Sequence, residues 1–316
     1  MSARRPPLGL LLALLVPLAP GPLAAQGSGK IHDVARPDAL KPVRTVTSEP
    51  RFDRPHNVVL SPDGKHLVVN DMGADLIRVL DPDTLAIQAS FGEGVLDGPH
   101  DADFDHRGRL LIADTANNRI AIYRFNGVIE GRAMVEPVAE LTDRIDWPEG
   151  VAATPDGRLY VTNVGSGSLV MLKGGKVIKE IDGSAAGGIG FSRPHDVEYD
   201  ARAGRVIVAD SGNNRVVVYD RDLNLVANLA GAPYHFYEPK YLATTPDGLL
   251  WVADEYNSQI KILDAAYKPV GFIGTGEKGD GPGQLNWPEG IFVKGAEIWI
   301  SDTYNDRILK YRRPAP

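Results

Sequence analysis

The sequence predicts an all-β fold, a six-bladed β-propeller of four-stranded antiparallel blades, because two landmarks recur along the chain. The first is a proline that opens an apolar run, repeated at intervals of 44 to 49 residues, at Pro55, Pro99, Pro148, Pro194, Pro239 and Pro288. The second comes later in each unit, at Asp71, Asp114, Asn163, Asp210, Asp254 and Asp302. A period in the forties with several short strands per unit is typical of propeller blades.

Each unit has the pattern of strand, turn, strand, turn and strand, as in "VAATPDGRLYVTNVGSGSLVML" at 151–172. "TPDG" places proline and glycine where a type I turn favours them. "RLYVTN" then alternates apolar and other residues with period two, as a half-buried strand does. "RIAIYR" and "RVVVYD" are third strands, and weaker runs such as "LVANLAG" predict a fourth, outer strand.

The last unit ends after its third strand, at Tyr311. "PVRTVTSE" at 42–49 precedes the first unit and can supply the missing outer strand. Such closure removes the open sheet edges that promote aggregation. The sequence therefore predicts that residues 42–316 form the propeller and that residues 26–41 form an N-terminal extension.

Residues 1–25 have the composition of a secretory signal peptide. Arg4 and Arg5 precede the apolar run Leu8–Ala19, and small residues precede a cleavage site after Ala25. The run is too short and too rich in proline for a membrane span. We therefore expect a secreted or periplasmic protein that has no membrane association once the signal is removed. The chain has no cysteine, which excludes a lipoprotein anchor and disulfides.

Composition and charge narrow the classes of partner. Apolar residues make up 43% of the chain, enough for a substantial core, and the formal net charge is −7. Removal of Arg4 and Arg5 with the signal takes that charge to −9. Nucleic-acid binding depends on a basic surface, so no nucleic acid is expected as a partner. We expect a monomer with a small-molecule or peptide ligand.

The position after each opening proline is ionisable in all six units: His56, His100, Glu149, His195, Lys240 and Glu289. The first strand of a propeller blade is the innermost one. These residues are therefore predicted to ring one mouth of the central channel.

Alternate blades approach the axis from three directions. The even blades supply His100, His195 and Glu289, and two imidazoles with a carboxylate form a ligand set for zinc or non-haem iron. The odd blades supply His56, Glu149 and Lys240, which are predicted to orient ligands, hold an anionic substrate or act as acid and base. The alternative is a polar ring that binds nothing, in which Glu149 pairs with its two histidine neighbours and Lys240 lies between His195 and Glu289.

Other motifs have structural interpretations. The recurring aspartates and the arginines Arg119, Arg215 and Arg307 are expected to stabilise tight turns. "GTGEKGDG" at 274–281 lacks the downstream helix of a dinucleotide site and is interpreted as an inter-blade linker. The longest such linker, 126–146, is long enough to lean over a mouth, and the sequence leaves open which face it covers. Aromatic residues before three of the prolines are candidate lining or inter-blade packing: Trp147, Trp287, Tyr234, Phe236 and Tyr237.

"IADTANNRIAIYR", "VADSGNNRVVVYD" and "ISDTYNDRILKY" resemble the NHL repeat, as do the linkers between them, over residues from about 42 to 313. "GPHDAD" and "RPHDVE" resemble motifs of the peptide-amidating lyases, six-bladed enzymes that cleave peptidyl-hydroxyglycine. That resemblance implies zinc on His100 and His195, with "WPEGIF" placing Glu289 where the family has a third histidine. It also implies a calcium site at Asp101 or Asp196 and a catalytic tyrosine at Tyr256 or Tyr304. "WPEG" is similar to a motif of gluconolactonase-type propellers.

Two functional hypotheses follow. The first is an exported propeller with a divalent metal, zinc or iron with calcium as a further option, acting as a lyase or hydrolase on a small polar or peptide-derived substrate. The second is a metal-free recognition module for a peptide, glycan or partner protein. Retention of metal by the purified protein distinguishes them.

Overall fold

The computed structural model describes residues 42–46 and 52–313. Within them the chain forms six four-stranded antiparallel sheets arranged as the blades of a propeller. The predicted all-β, six-bladed fold is therefore confirmed. The predicted signal peptide and N-terminal extension lie outside the described residues. Among those residues no helix has the length and apolar character needed to cross a bilayer.

Blades 1 to 3 each run from the channel outward in chain order. Blade 1 contains β2 (Pro55–Leu60), β3 (Leu67–Asp71), β4 (Leu76–Leu80) and β5 (Ile87–Phe91). Blade 2 contains β6 (Pro99–Phe104), β7 (Arg109–Asp114), β8 (Arg119–Ile129) and β9 (Arg132–Leu141). Blade 3 contains β10 (Pro148–Ala153), β11 (Arg158–Asn163), β12 (Ser168–Lys173) and β13 (Lys176–Ile181).

Blade 4 contains β14 (Pro194–Asp200), β15 (Arg205–Asp210), β16 (Arg215–Asp220) and β17 (Leu225–Ala230). Blade 5 contains β18 (Pro239–Thr244), β19 (Leu250–Asp254), β20 (Gln259–Leu263) and β21 (Pro269–Ile273). Blade 6 contains β22 (Ile291–Lys294), β23 (Glu297–Asp302) and β24 (Arg307–Arg312), and β1 (Pro42–Val46) pairs with β24 at its outer edge. Single 3₁₀ turns follow four of the second strands, at Met72–Ala74, Ser211–Asn213, Glu255–Asn257 and Thr303–Asn305.

The core lies between neighbouring blades. One apolar cluster joins Tyr160 and Met171 of blade 3 to Val206 and Tyr219 of blade 4. The second strand of each blade is almost wholly buried, since both of its faces pack against apolar side chains. Each fully buried aliphatic or aromatic side chain contributes roughly 1.5–3 kcal/mol, so this repeated interface stabilises the ring.

The recurring aspartates are structural, as predicted. In blade 4, Asp210 accepts the backbone N–H of Ser192 at 2.8 Å and the Nε of Arg215 at 2.6 Å. Equivalent backbone bonds are made by the other landmarks, at Asp71, Asp114, Asn163, Asp254 and Asp302. The landmark side chain therefore ties the segment that precedes the opening proline to the turn after the second strand.

The interpretation of residues 126–146 as an inter-blade linker is wrong for most of the segment. Residues 126–129 belong to β8 and residues 132–141 belong to β9, so they form the two outer strands of blade 2. Asp114 pairs with both Pro99 and Arg119, and Arg109 pairs with Arg124. The hairpin beyond Arg124 therefore extends from the end of blade 2 opposite the opening prolines, away from the mouth that they ring.

Candidate metal and catalytic site at the channel mouth

A β-bulge explains why the residue after the proline faces the channel. In blades 1 to 5 the pairing of the innermost strand shifts directly after the opening proline, so His100 and its equivalents lie in the irregular step. A bulge changes the direction of a side chain and often lies beside a functional site. Blade 6 differs, since its inner strand begins at Ile291 and not at Pro288, yet the N–H of Glu289 still donates to the Ser301 carbonyl at 3.1 Å.

Glycine follows the two glutamates of this ring because the neighbouring blade approaches closely. A Cβ on Gly290 would lie 2.2 Å from the carbonyl oxygen of His56 in blade 1. A Cβ on Gly150 would lie 2.7 Å from the Cα of Asp196 in blade 4. The "PEG" motif thus places a carboxylate at the mouth and lets the next blade pack against its backbone.

Five of the six predicted ring residues come together. His56 Nε2 lies 3.3 Å from Glu289 Oε2, and His195 Nε2 lies 3.6 Å from the same oxygen. Glu149 faces His195 at 3.5 Å and His100 at 3.8 Å. The rings of His56 and His100 are 4.8 Å apart between centroids. The structure does not separate even from odd blades here, because His56 contacts Glu289 as closely as His195 does.

Lys240, the sixth residue, lies at the edge of the cluster. Its Nζ is 3.4 Å from Glu255 and 3.8 Å from Glu238, neither of which the sequence singled out. Burial alone would lower the pKa of Lys240, but the carboxylates of Glu289, Glu255 and Glu149 outweigh it and raise that pKa. Lys240 therefore stays cationic at neutral pH.

Two of the histidines have a defined tautomer. His56 Nδ1 lies 2.9 Å from the Arg54 carbonyl, and His100 Nδ1 lies 2.8 Å from the Gly98 carbonyl. A carbonyl only accepts, so Nδ1 carries the proton and the Nε2 lone pair faces the cluster. Metal-binding histidines are commonly oriented by this kind of bond.

Burial sets the protonation of the ring. It lowers the pKa of His100 to about 4, and together with neighbouring charges it lowers the pKa of His56 and His195 well below the usual value. Burial raises the pKa of Glu149 to about 7 and also raises the pKa of Glu289. The imidazoles are therefore neutral near pH 7, the form in which they bind metals.

Tyr241 closes the site from below, which sequence reasoning missed. This side chain extends from the inner strand of blade 5 across the channel, and its hydroxyl donates to the His100 carbonyl in blade 2 at 2.7 Å. Its ring packs edge-on against His195 with centroids 4.8 Å apart. Tyr241 is 1% exposed, so the mouth ring has an aromatic floor. The only sequence signal was its place directly after a ring residue.

The donor set fits a divalent metal chemically. Glu289 Oε2, which faces His56 and His195, is buried without a hydrogen-bond partner among the described residues. His195 Nδ1 also lacks a partner there, but this imidazole faces the two glutamates through its Nε2. Two atoms that share a tetrahedral zinc at about 2.0–2.1 Å lie about 3.3–3.5 Å apart, close to the nitrogen–oxygen separations of this ring. As the side chains lie, the described part of the chain contains no group of three His, Cys, Asp or Glu already arranged to hold an ion. Binding would therefore require adjustment of side-chain positions.

The calcium and tyrosine residues that the resemblance to the amidating lyases implies lie outside the histidine cluster. Asp101 and Asp196, the implied calcium residues, line the channel below the ring and accept backbone N–H groups from Val151 and Leu242. Tyr256 and Tyr304 lie at the mouth in the 3₁₀ turns of blades 5 and 6 and are partly exposed. Neither of these tyrosines contacts the histidine cluster. Tyr241 is the tyrosine that does.

Comparisons with known proteins agree with this architecture. Residues 23–227 match the model of the family "Lactonase, 7-bladed beta-propeller". NHL repeat-containing protein 3 from Homo sapiens is 30% identical over 136 residues, which are 42% of this chain and 38% of the human protein. The match thus spans well under half of that relative, and it confirms the resemblance of the repeats to NHL repeats.

Solved structures share the fold at low sequence identity. A streptogramin B lyase aligns with a TM-score of 0.58 and 15% identity, over 85% of this chain and 96% of that one. Virginiamycin B lyase from Staphylococcus aureus has a TM-score of 0.56 and 14% identity, over 85% and 83%. A protein of unknown function from Bacteroides thetaiotaomicron has a TM-score of 0.67 and 12% identity, over 87% and 73%. The chain belongs to the lactonase seven-bladed β-propeller family, and its described residues form six blades.

Proposed function

We propose that the protein is an exported, metal-dependent lyase or hydrolase that acts at the channel mouth on a small polar or peptide-derived substrate. The observation that carries the proposal is the convergence of three neutral imidazoles and two acidic side chains, with Glu289 Oε2 left without a hydrogen-bond partner among the described residues. A buried polar group is costly unless it is paired or coordinates a metal.

His100, His195 and Glu289 are the proposed ligands, and His56 reaches the same point as a further one. A bound zinc or iron ion would polarise a substrate oxygen or activate water. The lactonase family match and the lyases among the similar folds support these two reaction classes. Calcium is the third option, because the ring also offers carboxylate oxygens.

The remaining ring residues have roles that follow from their positions. Glu149 faces both His100 and His195 and is only partly buried, so it is placed to exchange a proton with a substrate bound at the mouth. Lys240 is held by Glu255 and is placed to orient an anionic group of the substrate. Tyr241 closes the floor and separates the site from the channel below.

Export rests on the sequence of residues 1–25. The order of Arg4 and Arg5, the apolar run Leu8–Ala19 and the small residues before Gln26 is that of a cleaved signal. A secreted or periplasmic location would also give the site access to extracellular peptides and other small molecules.

Elemental analysis by mass spectrometry tests the proposal. The chain from residue 26 onward is purified without chelators, beside His100→Ala, His195→Ala and the control His106→Ala, an exposed histidine away from the ring. We expect about one metal ion per chain in the wild type and the control, and its loss from both ring variants. No metal after supply of zinc, iron, manganese and calcium would overturn the proposal.

The second candidate is a metal-free recognition module. The position of Glu149 between His100 and His195 favours it, since the carboxylate could be shared by the two rings without an ion. In that case removal of a ring histidine would change ligand binding and leave no difference in metal content.

A further inference from the structure

An arc of aromatic side chains borders the mouth on blades 5 and 6. Tyr237 contacts Tyr256 edge to face with ring centroids 5.0 Å apart, and Tyr256 contacts Trp287 at the same distance. Trp287 in turn contacts Tyr304 at 4.9 Å. These four residues, which we name the aromatic arc, lie before the inner strands or in the turns after the second strands of their blades.

Inter-blade packing does not account for the arc. The aromatic side chains that pack between blades are fully buried, as Tyr160, Tyr219 and Tyr311 are. In the arc, by contrast, Tyr237 is 52% exposed and Tyr304 is 43% exposed. A contiguous exposed aromatic surface marks a binding site more often than a packing surface.

The backbone conformation of Trp287 belongs to the repeat. Every residue before an opening proline has a positive φ, including Trp147 and Trp287, both at 49°. A bulky residue is strained in this conformation, which glycine adopts freely. Because the strain recurs in all six blades, the ring contacts and the exposure, and not the backbone, distinguish Trp287 from Trp147.

The arc is continuous with the ring of ionisable residues. Glu255 precedes Tyr256 and lies 3.4 Å from Lys240 Nζ. Burial raises the pKa of Tyr304, and the charges of Glu289 and Glu255 raise it further, so the phenol lies within electrostatic reach of both. A ligand whose reactive end lies at the histidines would extend over the arc.

The charges around the arc indicate an uncharged ligand group. Lys278 Nζ lies 3.3 Å from the centroid of Trp287 and covers one face of the indole. Lys240 and Arg193 lie nearby, and both pair with Glu238. The carboxyl groups of Glu255 and Glu238 act on Tyr256 as well, and they pair with Lys240 and Arg193. Because these charges satisfy one another, the free aromatic faces suit a flat neutral ring.

We propose that the aromatic arc is a binding subsite for a flat, uncharged ring carried by the ligand of the mouth. An aromatic ring and the apolar face of a sugar ring share this chemistry. This inference rests on the proposed function in one respect, which is that the ligand is taken to be the substrate.

Saturation-transfer NMR tests the subsite with three probes: N-acetyl-phenylalanine amide, its ring-less counterpart N-acetyl-alanine amide, and methyl β-glucopyranoside. The variants are Trp287→Ala and Tyr256→Ala. The matched control is Trp147→Ala, because Trp147 also precedes an opening proline at φ 49° but makes no ring contact with the arc. Circular dichroism verifies that each variant is folded, and Tyr256→Ala removes an arc residue without altering the strained position.

We expect one ring probe to bind and the alanine probe not to bind. Affinity should fall about two- to tenfold in each arc variant and stay unchanged in the control, as expected for the loss of one aromatic contact. The phenyl or sugar probe that binds identifies the source of the ring. Equal binding of the alanine probe, no binding of either ring, or an equal loss in Trp147→Ala would overturn the inference. Binding of a ring by His100→Ala without metal would uphold the subsite even if the metal proposal failed.

Discussion

Buried ionisable groups lie at two levels of the same channel, and the two levels differ in the hydrogen-bond partners of these groups. Below the Tyr241 floor lie the inner carboxylates, and each accepts a backbone N–H from the inner strand of the next blade. They are Asp101 from Val151 at 2.6 Å, Asp103 from Ala153 at 2.8 Å, Asp196 from Leu242 at 2.8 Å and Glu198 from Thr244 at 3.0 Å. At the mouth, Glu289 Oε2 has no such partner among the described residues.

On the proposed function, the difference separates groups that hold the fold from groups that would bind a ligand. A satisfied buried carboxylate contributes to the structure, because its bonds join neighbouring blades. An unsatisfied one costs free energy until something binds it. Burial by itself therefore does not distinguish the two levels of the channel, whereas the hydrogen-bond partners of their acidic groups do.

Asp101→Ala should give the largest loss of stability. Asp101 accepts bonds from the backbone of Val151 and Ala102 and from the Asn57 side chain, so its removal leaves buried donors unpaired. We expect the free energy of unfolding to fall by about 2–4 kcal/mol, measured by urea denaturation. His100→Ala changes the adjacent ring residue and should cost less than half as much. A larger cost for His100→Ala would reverse the comparison.

Glu198→Gln should give a smaller effect that depends on pH. Burial, with Asp103 nearby, raises the pKa of Glu198 to about 7. The folded state therefore binds this proton where the unfolded chain releases it, so the contribution of Glu198 to stability is full at low pH and is lost as pH rises toward that pKa. Relative to Glu198→Gln, the free energy of unfolding of the wild type should fall by about 1–2 kcal/mol between about pH 5 and pH 8. This is less than the full pKa shift would give, because solvent in the channel weakens the effect.

Urea denaturation of both proteins at the two pH values measures this difference. Glu93→Gln, which removes an exposed carboxylate, is the matched control and should follow the wild type. A difference that stays constant with pH would show that folding does not raise the pKa of Glu198.

The sequence predicted the fold well because each blade repeats the same local signals. The opening prolines, the "PDG" turns and the landmark aspartates are short-range features, and the structure confirms the six sheets that they mark. The ring of ionisable residues was also predictable, because propeller topology alone puts the start of each inner strand at the mouth.

What escaped prediction depends on contacts between distant blades. The hydroxyl of Tyr241 reaches His100, which is 141 residues away, and no local pattern encodes that bond. Alternate-blade reasoning kept His56 apart from Glu289, yet the bulges and side-chain lengths bring them to 3.3 Å. The aromatic arc combines two turns with two pre-proline segments, so its four members look unrelated along the chain.

The most direct test of the account compares two carboxylates of one channel, Glu289→Gln at the mouth and Glu198→Gln below the floor. Metal content and thermal melting are measured on both variants after supply of zinc and iron. The account predicts that Glu289→Gln loses its metal and, measured without metal, melts no lower than the wild type, since an unsatisfied buried acid is removed. Glu198→Gln should keep its metal. Retention of metal by Glu289→Gln, or loss of metal from Glu198→Gln, would contradict the assignment of the mouth ring as the site.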